Sequence, residues 1–265
     1  MSAAATGASL PAATLAIAVR TLKKFVRTPQ LIVAGTAQGV LFLVIFRFVF
    51  GGAVSPIGSM RYVDFLVPGF VMTSVLFVGM GTAAGVAEDL ACGLVDRLRS
   101  LPVPPVSILC GRVLGDTAMV VWNLAVTSAV GLAVGFRVQG GMGPALGAFG
   151  LCALWGFAFC WLFVVLGLIA RNAQAAQSLS FLVFPVTFVS SAYVPVATMP
   201  SWLRGFGDRQ TVTAMADTVR ILAEGHPAAA AIGHGLGSYL PASLAWTAAL
   251  IVVCVPLALW RLRKG

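Results

Sequence analysis

Residues 88–105 read "EDLACGLVDRLRSLPVPP". Three acids (Glu88, Asp89, Asp96) and two arginines (Arg97, Arg99) fall close together, and Pro102, Pro104 and Pro105 close the stretch. On either side lie long apolar runs, 63–87 and 107–136. A run of about 20 apolar residues, wound as a helix, crosses the ~30 Å of hydrocarbon in a bilayer. The charged stretch therefore reads as a loop between two membrane spans, and the rest of the fold follows by counting outward from it.

The whole chain supports that reading. Of its 265 residues, 59% are hydrophobic and only 9% are charged, whereas soluble domains carry about 25% charged residues. Six apolar runs can be marked: 31–50, 63–87, 107–136, 145–170, 175–194 and 240–260. They predict an all-α integral membrane protein of six transmembrane helices. Residues 31–265 form one transmembrane domain, and 1–30 a tail followed by a basic helix. No length remains for a sizeable soluble domain. Residues 1–14 lack the basic region that opens a signal peptide and are expected to be a disordered cytoplasmic tail.

The net charge of +9 sits beside the spans, which points to topology and anionic lipid rather than nucleic acid. With the N-terminus inside, the inner segments hold eleven lysines and arginines and the outer segments six. Three of those six, Arg204, Arg209 and Arg220, are balanced locally by Asp208, Asp217 and Glu224. The expectation is a multi-pass protein of the cytoplasmic (inner) membrane with both termini in the cytoplasm.

Over 15–27, Arg20, Lys23, Lys24 and Arg27 share one helical face, and Leu15, Ala18, Val19, Leu22, Phe25 and Val26 the other. This predicts an amphipathic helix lying on the membrane surface, ended before Pro29. Within 88–105, Leu94, Leu98 and Leu101 line one side of a short helix, with Asp96, Arg97, Arg99 and Ser100 around the rest. Two uses fit it: docking in a soluble partner's groove, or resting on lipid. Arg112 and Asp116 are four apart and can pair on one helix face, a structural lock for charges that are costly near a membrane unless paired. Residues 195–240 are polar and punctuated by proline. Pro200, Trp202 and Phe206 suit the outer headgroups. Val212, Met215, Ala216, Val219 and Leu222 mark one helix face, opposite Thr213, Asp217, Arg220 and Glu224.

Other chemistries lack their residues. There is no G-x-x-x-x-G-K-[ST] loop for nucleotide phosphates. The five cysteines form no C-x-x-C, and the two histidines lie far from them, so no metal set is evident. An integral membrane lipid-modifying enzyme needs clustered acids or histidines at a membrane face. An ion-coupled secondary transporter calls for internal repeats or charged midplane residues. The polar residues within spans are few: Gln38, Asn123, Gln174 and Gln177.

Four features together resemble the membrane permeases of ABC-2 type exporters, in particular the daunorubicin-resistance B-like branch common in actinobacteria. They are the basic helix before the first span, "EDLACGLVDRLRSLPVPPVSILCGRVLGD" (88–116), the six runs with "VFPVTFVSSAYVPVATMPSWLRGFG" (183–207) at the end of the fifth, and "DRQTVTAMADTVRILAEG" (208–225). The resemblance implies a non-catalytic subunit exporting a hydrophobic or amphiphilic substrate such as a drug, lipid or glycolipid. A separate ABC ATPase would bind ATP and Mg, and this chain would hold no cofactor. The second permease would be another copy or a paralogue. The 93–101 helix would be the coupling helix set in the ATPase. Asp96, Arg97 and Arg99 would give polar docking and Leu94, Leu98 and Leu101 apolar contact, framed by Glu88, Gly93 and Pro102. Residues 195–240, with Pro200, Trp202 and Arg220, would form an extracellular re-entrant helical hairpin.

Overall fold

The structure is a computed structural model and describes residues 9–51, 60–100, 103–233 and 235–264. Leu101 and Pro102, and residues 1–8 of the expected tail, lie outside the described residues. Among those described, the elements are helical, with no strand.

The first helix, α1 (Leu10–Arg27), starts earlier than the charge pattern suggests, with Pro11 in its first turn, where a missing N–H costs nothing. Pro29 then opens α2 (Pro29–Ile45), which runs on through a π-helical turn, Phe46–Phe50. Next come α3 (Tyr62–Ala91), the short α4 (Leu94–Arg99) and α5 (Pro105–Ala133). Gly93 separates α3 from α4 with φ 68°, a left-handed backbone that glycine adopts without a Cβ penalty. Then follows α6 (Met142–Ile169).

The fifth apolar run is broken. α7 (Ala173–Phe181) is capped by Asn172, whose Oδ1 accepts from Ala175 N at 2.8 Å. It gives way to a separate α8 (Phe184–Phe188), with Pro185 in its first turn. Proline has no N–H to continue the ladder. The 195–240 segment holds α9 (Ser201–Arg209), α10 (Thr211–Glu224) and α11 (His226–Ile232), and α12 (Leu236–Lys264) ends the described chain.

Four of these helices, α3, α5, α6 and α12, are long and apolar enough to cross a membrane. In α2 the apolar stretch, Gly35–Val49, is shorter. At 1.5 Å per residue, α3 is about 45 Å long, more than the ~30 Å of hydrocarbon in a bilayer. It is also the central helix, buried along most of its length and packed by α2, α5, α6, α7 and α10. Its own Leu66 and Phe70 are fully buried, as are Trp155 and Phe163 of α6 and Leu124 of α5. The last helix, α12, is peripheral and leaves Val252, Val253 and Trp260 exposed.

The packing of α1 departs from its sequence pattern. Its buried face is Ala13, Thr14, Ile17, Ala18 and Thr21, laid along α5, while Leu15 and Val26 stay exposed. The reason lies in α5. A Cβ at Gly111 would stand 2.6 Å from Ile17 Cβ, and one at Gly115 2.6 Å from Thr21 Cβ. Two glycines one turn apart make a groove that admits a small-residue face at near-backbone distance, the packing typical of membrane helices.

Candidate functional site

Two buried ionic hubs mark the ends of α3; the one from which the 88–105 loop hangs is named inner, after the topology expected from the sequence, and the other outer. That inner hub is Arg112 of α5. Its Nε donates to Asp116 Oδ2 at 2.8 Å, one turn along the same helix, and its Nη1 to Asp89 Oδ2 at 2.9 Å, on α3. Asp116 is fully buried, and Arg112 nearly so. Asp89 is also approached by Arg20 of α1 at 3.6 Å, and Lys24 of α1 donates to Glu88 at 3.2 Å. Gly85 leaves the space that the guanidinium fills. The predicted Arg112 and Asp116 are thus brought together, and Asp89 joins them. Three helices meet in one charge network, which holds α1, α3 and α5 in fixed register. No spacing in the sequence links Asp89 to Arg112; the only signal was an acid beside Glu88 at the inner end of a span.

α4 projects from this hub. Val95 is buried, and Leu94 and Leu98 are half-buried, lining a small cleft with Ile17, Arg20 and Leu168. The apolar edge of α4 is therefore turned onto the chain's own helices. Asp96, Arg97 and Ser100 are exposed, and Arg99 Nη1 lies 3.6 Å from Asp96. The basic residues of α1 remain accessible: Arg20, Lys23, Lys24 and Arg27 line one open groove.

The outer hub is Arg220 of α10, fully buried. Its Nε donates to Phe65 O at 2.9 Å on α3 and its Nη2 to Ser191 O at 2.8 Å, while Nη1 pairs with Asp217. The guanidinium also lies 3.6 Å from the centre of the Phe65 ring, a cation–π contact. Ser191 Oγ donates to Asp217 at 2.8 Å, and Ser191 N to Thr213 Oγ1 at 3.2 Å. Both faces of α10, including the polar one, are thus enclosed by protein. By contrast, Trp202, just after Pro200, is 78% exposed and is free for the headgroup region.

At the end of α10, Glu224 is completely buried and neither carboxylate oxygen has a hydrogen-bond partner. Burial, reinforced by the charge of Asp64, pushes its pKa up to about 8. Nearby, Arg61 donates through Nε and Nη2 to the two carboxylate oxygens of Asp64, at 2.7 and 3.0 Å, and Nη2 also donates to Gly135 O at 3.3 Å. Arg47 donates to Val134 O at 3.4 Å. Two arginines thus cover the carboxyl end of α5, where the helix dipole is negative. Arg61, Asp64 and the buried role of Arg220 were not evident from helical periodicity.

Two clefts adjoin the hubs. An outer cavity of about 750 Å³ lies between α9, α10, α11 and α12, with Arg204, Asp208, Tyr239 and Trp246 in its wall. An inner cleft of about 160 Å³ runs between α1, α2, α3, α5 and α7, from Glu88 and Arg112 to Asn123 and Gln177. Among the described residues no group of acids, histidines and cysteines could hold a metal ion.

Comparison with known proteins gives the geometry its context. The model of the family described as "ABC-2 type transporter" matches residues 12–222. The "Daunorubicin resistance ABC transporter permease protein DrrB1" of Streptomyces coeruleorubidus is 31% identical over 219 residues, covering 82% of this chain and 77% of that protein. The "Probable doxorubicin resistance ABC transporter permease protein DrrC" of Mycobacterium tuberculosis is 26% identical over 245 residues, covering 91% and 84%.

Proposed function

The chain belongs to the ABC-2 type transporter family, and we propose that it carries a hydrophobic or amphiphilic molecule outward through six spans driven from its 88–105 loop. It is the membrane permease subunit of an ABC exporter, it is multi-pass, and ATP hydrolysis belongs to a partner ATPase. ATP and Mg would be bound there. α2 and the α7–α8 pair complete the six spans. Both termini would lie in the cytoplasm and the protein in the inner membrane, in keeping with the excess of lysine and arginine on that side. The working unit pairs this chain with a second copy or a paralogous permease. A drug of the kind named for its relatives is the substrate class that fits best.

The observation that carries the coupling mechanism is the continuity from α4 to the Arg112 hub. The outward face of α4 offers Asp96 and Arg97, with Arg99 beside them, to the ATPase. Its inward face, Leu94, Val95 and Leu98, is packed into the bundle. A push on α4 therefore reaches α1, α3 and α5 together through Asp89, Arg112 and Asp116. From Asp89 to Phe65, α3 spans roughly 36 Å at 1.5 Å per residue, so the same rod arrives at the Arg220 hub outside. Movement at the ATPase would be felt by the 195–240 segment, which would act as the re-entrant cap of the exit. The basic face of α1, Arg20, Lys23, Lys24 and Arg27, would hold the inner headgroups.

The test is co-purification of the ATPase with the tagged permease from mild detergent. Arg97→Glu with Arg99→Glu should lose the ATPase while inserting in the membrane normally. Undiminished co-purification would remove the docking role.

A further inference from the structure

Asn123 lies one turn from the middle of α5 and is 1% exposed, yet its Nδ2 has no hydrogen-bond partner. Its Oδ1 is approached by Thr127 Oγ1 at 3.5 Å, so the unused group is a donor. A buried donor without an acceptor is costly and uncommon in native proteins. Asn123 forms the deep end of the inner cleft. The other end carries Lys24, Glu88 and Arg112, and the walls between include Phe77 and Met119. From Arg112 to Asn123 is roughly 16 Å along α5 at 1.5 Å per residue, about half the hydrocarbon thickness. The cleft thus carries charged groups at one end, apolar walls along its length and one donor at the other.

Two glycines make the room. A Cβ added at Gly35 of α2, or at Gly81 of α3, would meet nothing within 4 Å. Neither has the positive φ that would demand glycine. Helix interiors disfavour glycine by about 1 kcal/mol relative to alanine, and here no neighbour requires it. Both residues line the cleft.

We propose that this cleft is an entry site for the exported molecule from the inner leaflet. Its ligand is an amphiphile whose apolar body lies over Gly35 and Gly81 and whose carbonyl or ether oxygen accepts a hydrogen bond from Asn123 Nδ2. A charged or zwitterionic end stays at the mouth beside Lys24 and Glu88. The assignment rests on the exporter reading and adds to it where the substrate first binds and which atom recognises it.

The experiment is equilibrium binding of labelled daunorubicin, an apolar ring system bearing carbonyls, to the purified full-length permease in detergent. Wild type should bind saturably. Gly81→Leu starts from a Cβ position with nothing within 4 Å, narrows the cleft, and should weaken binding at least tenfold with an unchanged melting temperature. Asn123→Leu removes the donor and should weaken it by about tenfold, the worth of one net hydrogen bond; Asn123→Ser, which restores a donor, should recover part of the loss. Wild-type affinity in Gly81→Leu and Asn123→Leu would overturn the site, and no saturable binding by wild type would overturn the ligand class assigned to it. The exporter reading stands or falls separately, on whether an ATPase co-purifies with the wild-type permease.

Discussion

Replacing Arg112 by methionine should unfold this protein more readily than any change to the loop it anchors. The guanidinium neutralises Asp116, which has no exposure at all, and ties it to Asp89 on α3. Methionine keeps the apolar stem and deletes both bonds. Removing one partner of a buried pair costs about 3–5 kcal/mol, because the other charge is left buried. At 2–4 °C per kcal/mol for a chain of this size, the melting temperature should fall by roughly 10 °C. Asp89→Asn is the graded control. Asp89 is 14% exposed at its side chain and Arg112 keeps Asp116, so the loss should be smaller, about 1.5–3 kcal/mol, the worth of one charge-assisted bond. Arg112→Met combined with Asp116→Leu removes both charges and should recover most of the stability, since hydrophobic replacement of a buried pair is often neutral. The assay is the fraction of protein remaining monodisperse by size-exclusion chromatography after heating in detergent. An Arg112→Met protein that melts with wild type, or a double variant no better than the single one, would refute the hub as a structural lock.

Glu224 supplies a pH dependence. Its carboxyl rises from 4.5 to about 8 on folding, so the folded state keeps a proton that the unfolded state releases. Its contribution is therefore full below about pH 4.5 and is lost as pH rises through about 8. Melting at pH 5.5 and 8.5 should show wild type losing more stability than Glu224→Gln, and equal slopes would refute a neutral acid at this position. Gly115→Leu attacks the seat of α1, because even its Cβ would meet Thr21. Overpacking costs about 1–3 kcal/mol, and the expected sign is faster trypsin cleavage after Lys23, Lys24 or Arg27. An unaltered digestion rate would show that α1 does not depend on that groove.

The Arg112–Asp116 pair was legible because i,i+4 is a relation within one helix. Asp89 was not, because its meeting with Arg112 depends on how α3 and α5 sit in register. The same distinction separates α10 as read from α10 as folded. Its two faces follow from periodicity, but Arg220 is enclosed because Phe65 O and Ser191 O, from distant parts of the chain, converge on its guanidinium. For α4, helical spacing put Leu94 and Leu98 on one side, and only packing showed that they turn toward Ile17 and Leu168.

What the amino-acid sequence determined by itself was whatever depends on local chemistry against a fixed solvent. Apolar runs must match the bilayer's thickness, and prolines at 29, 105 and 185 start or break helices. Tertiary structure decided which helices touch, and hence which charges pair and which stay alone. Between helices in lipid the hydrophobic effect gives little preference, so small residues such as Gly111 and Gly115 and a few buried polar groups choose the partners. That choice is a matter of shape across the chain, and no period along it records the outcome.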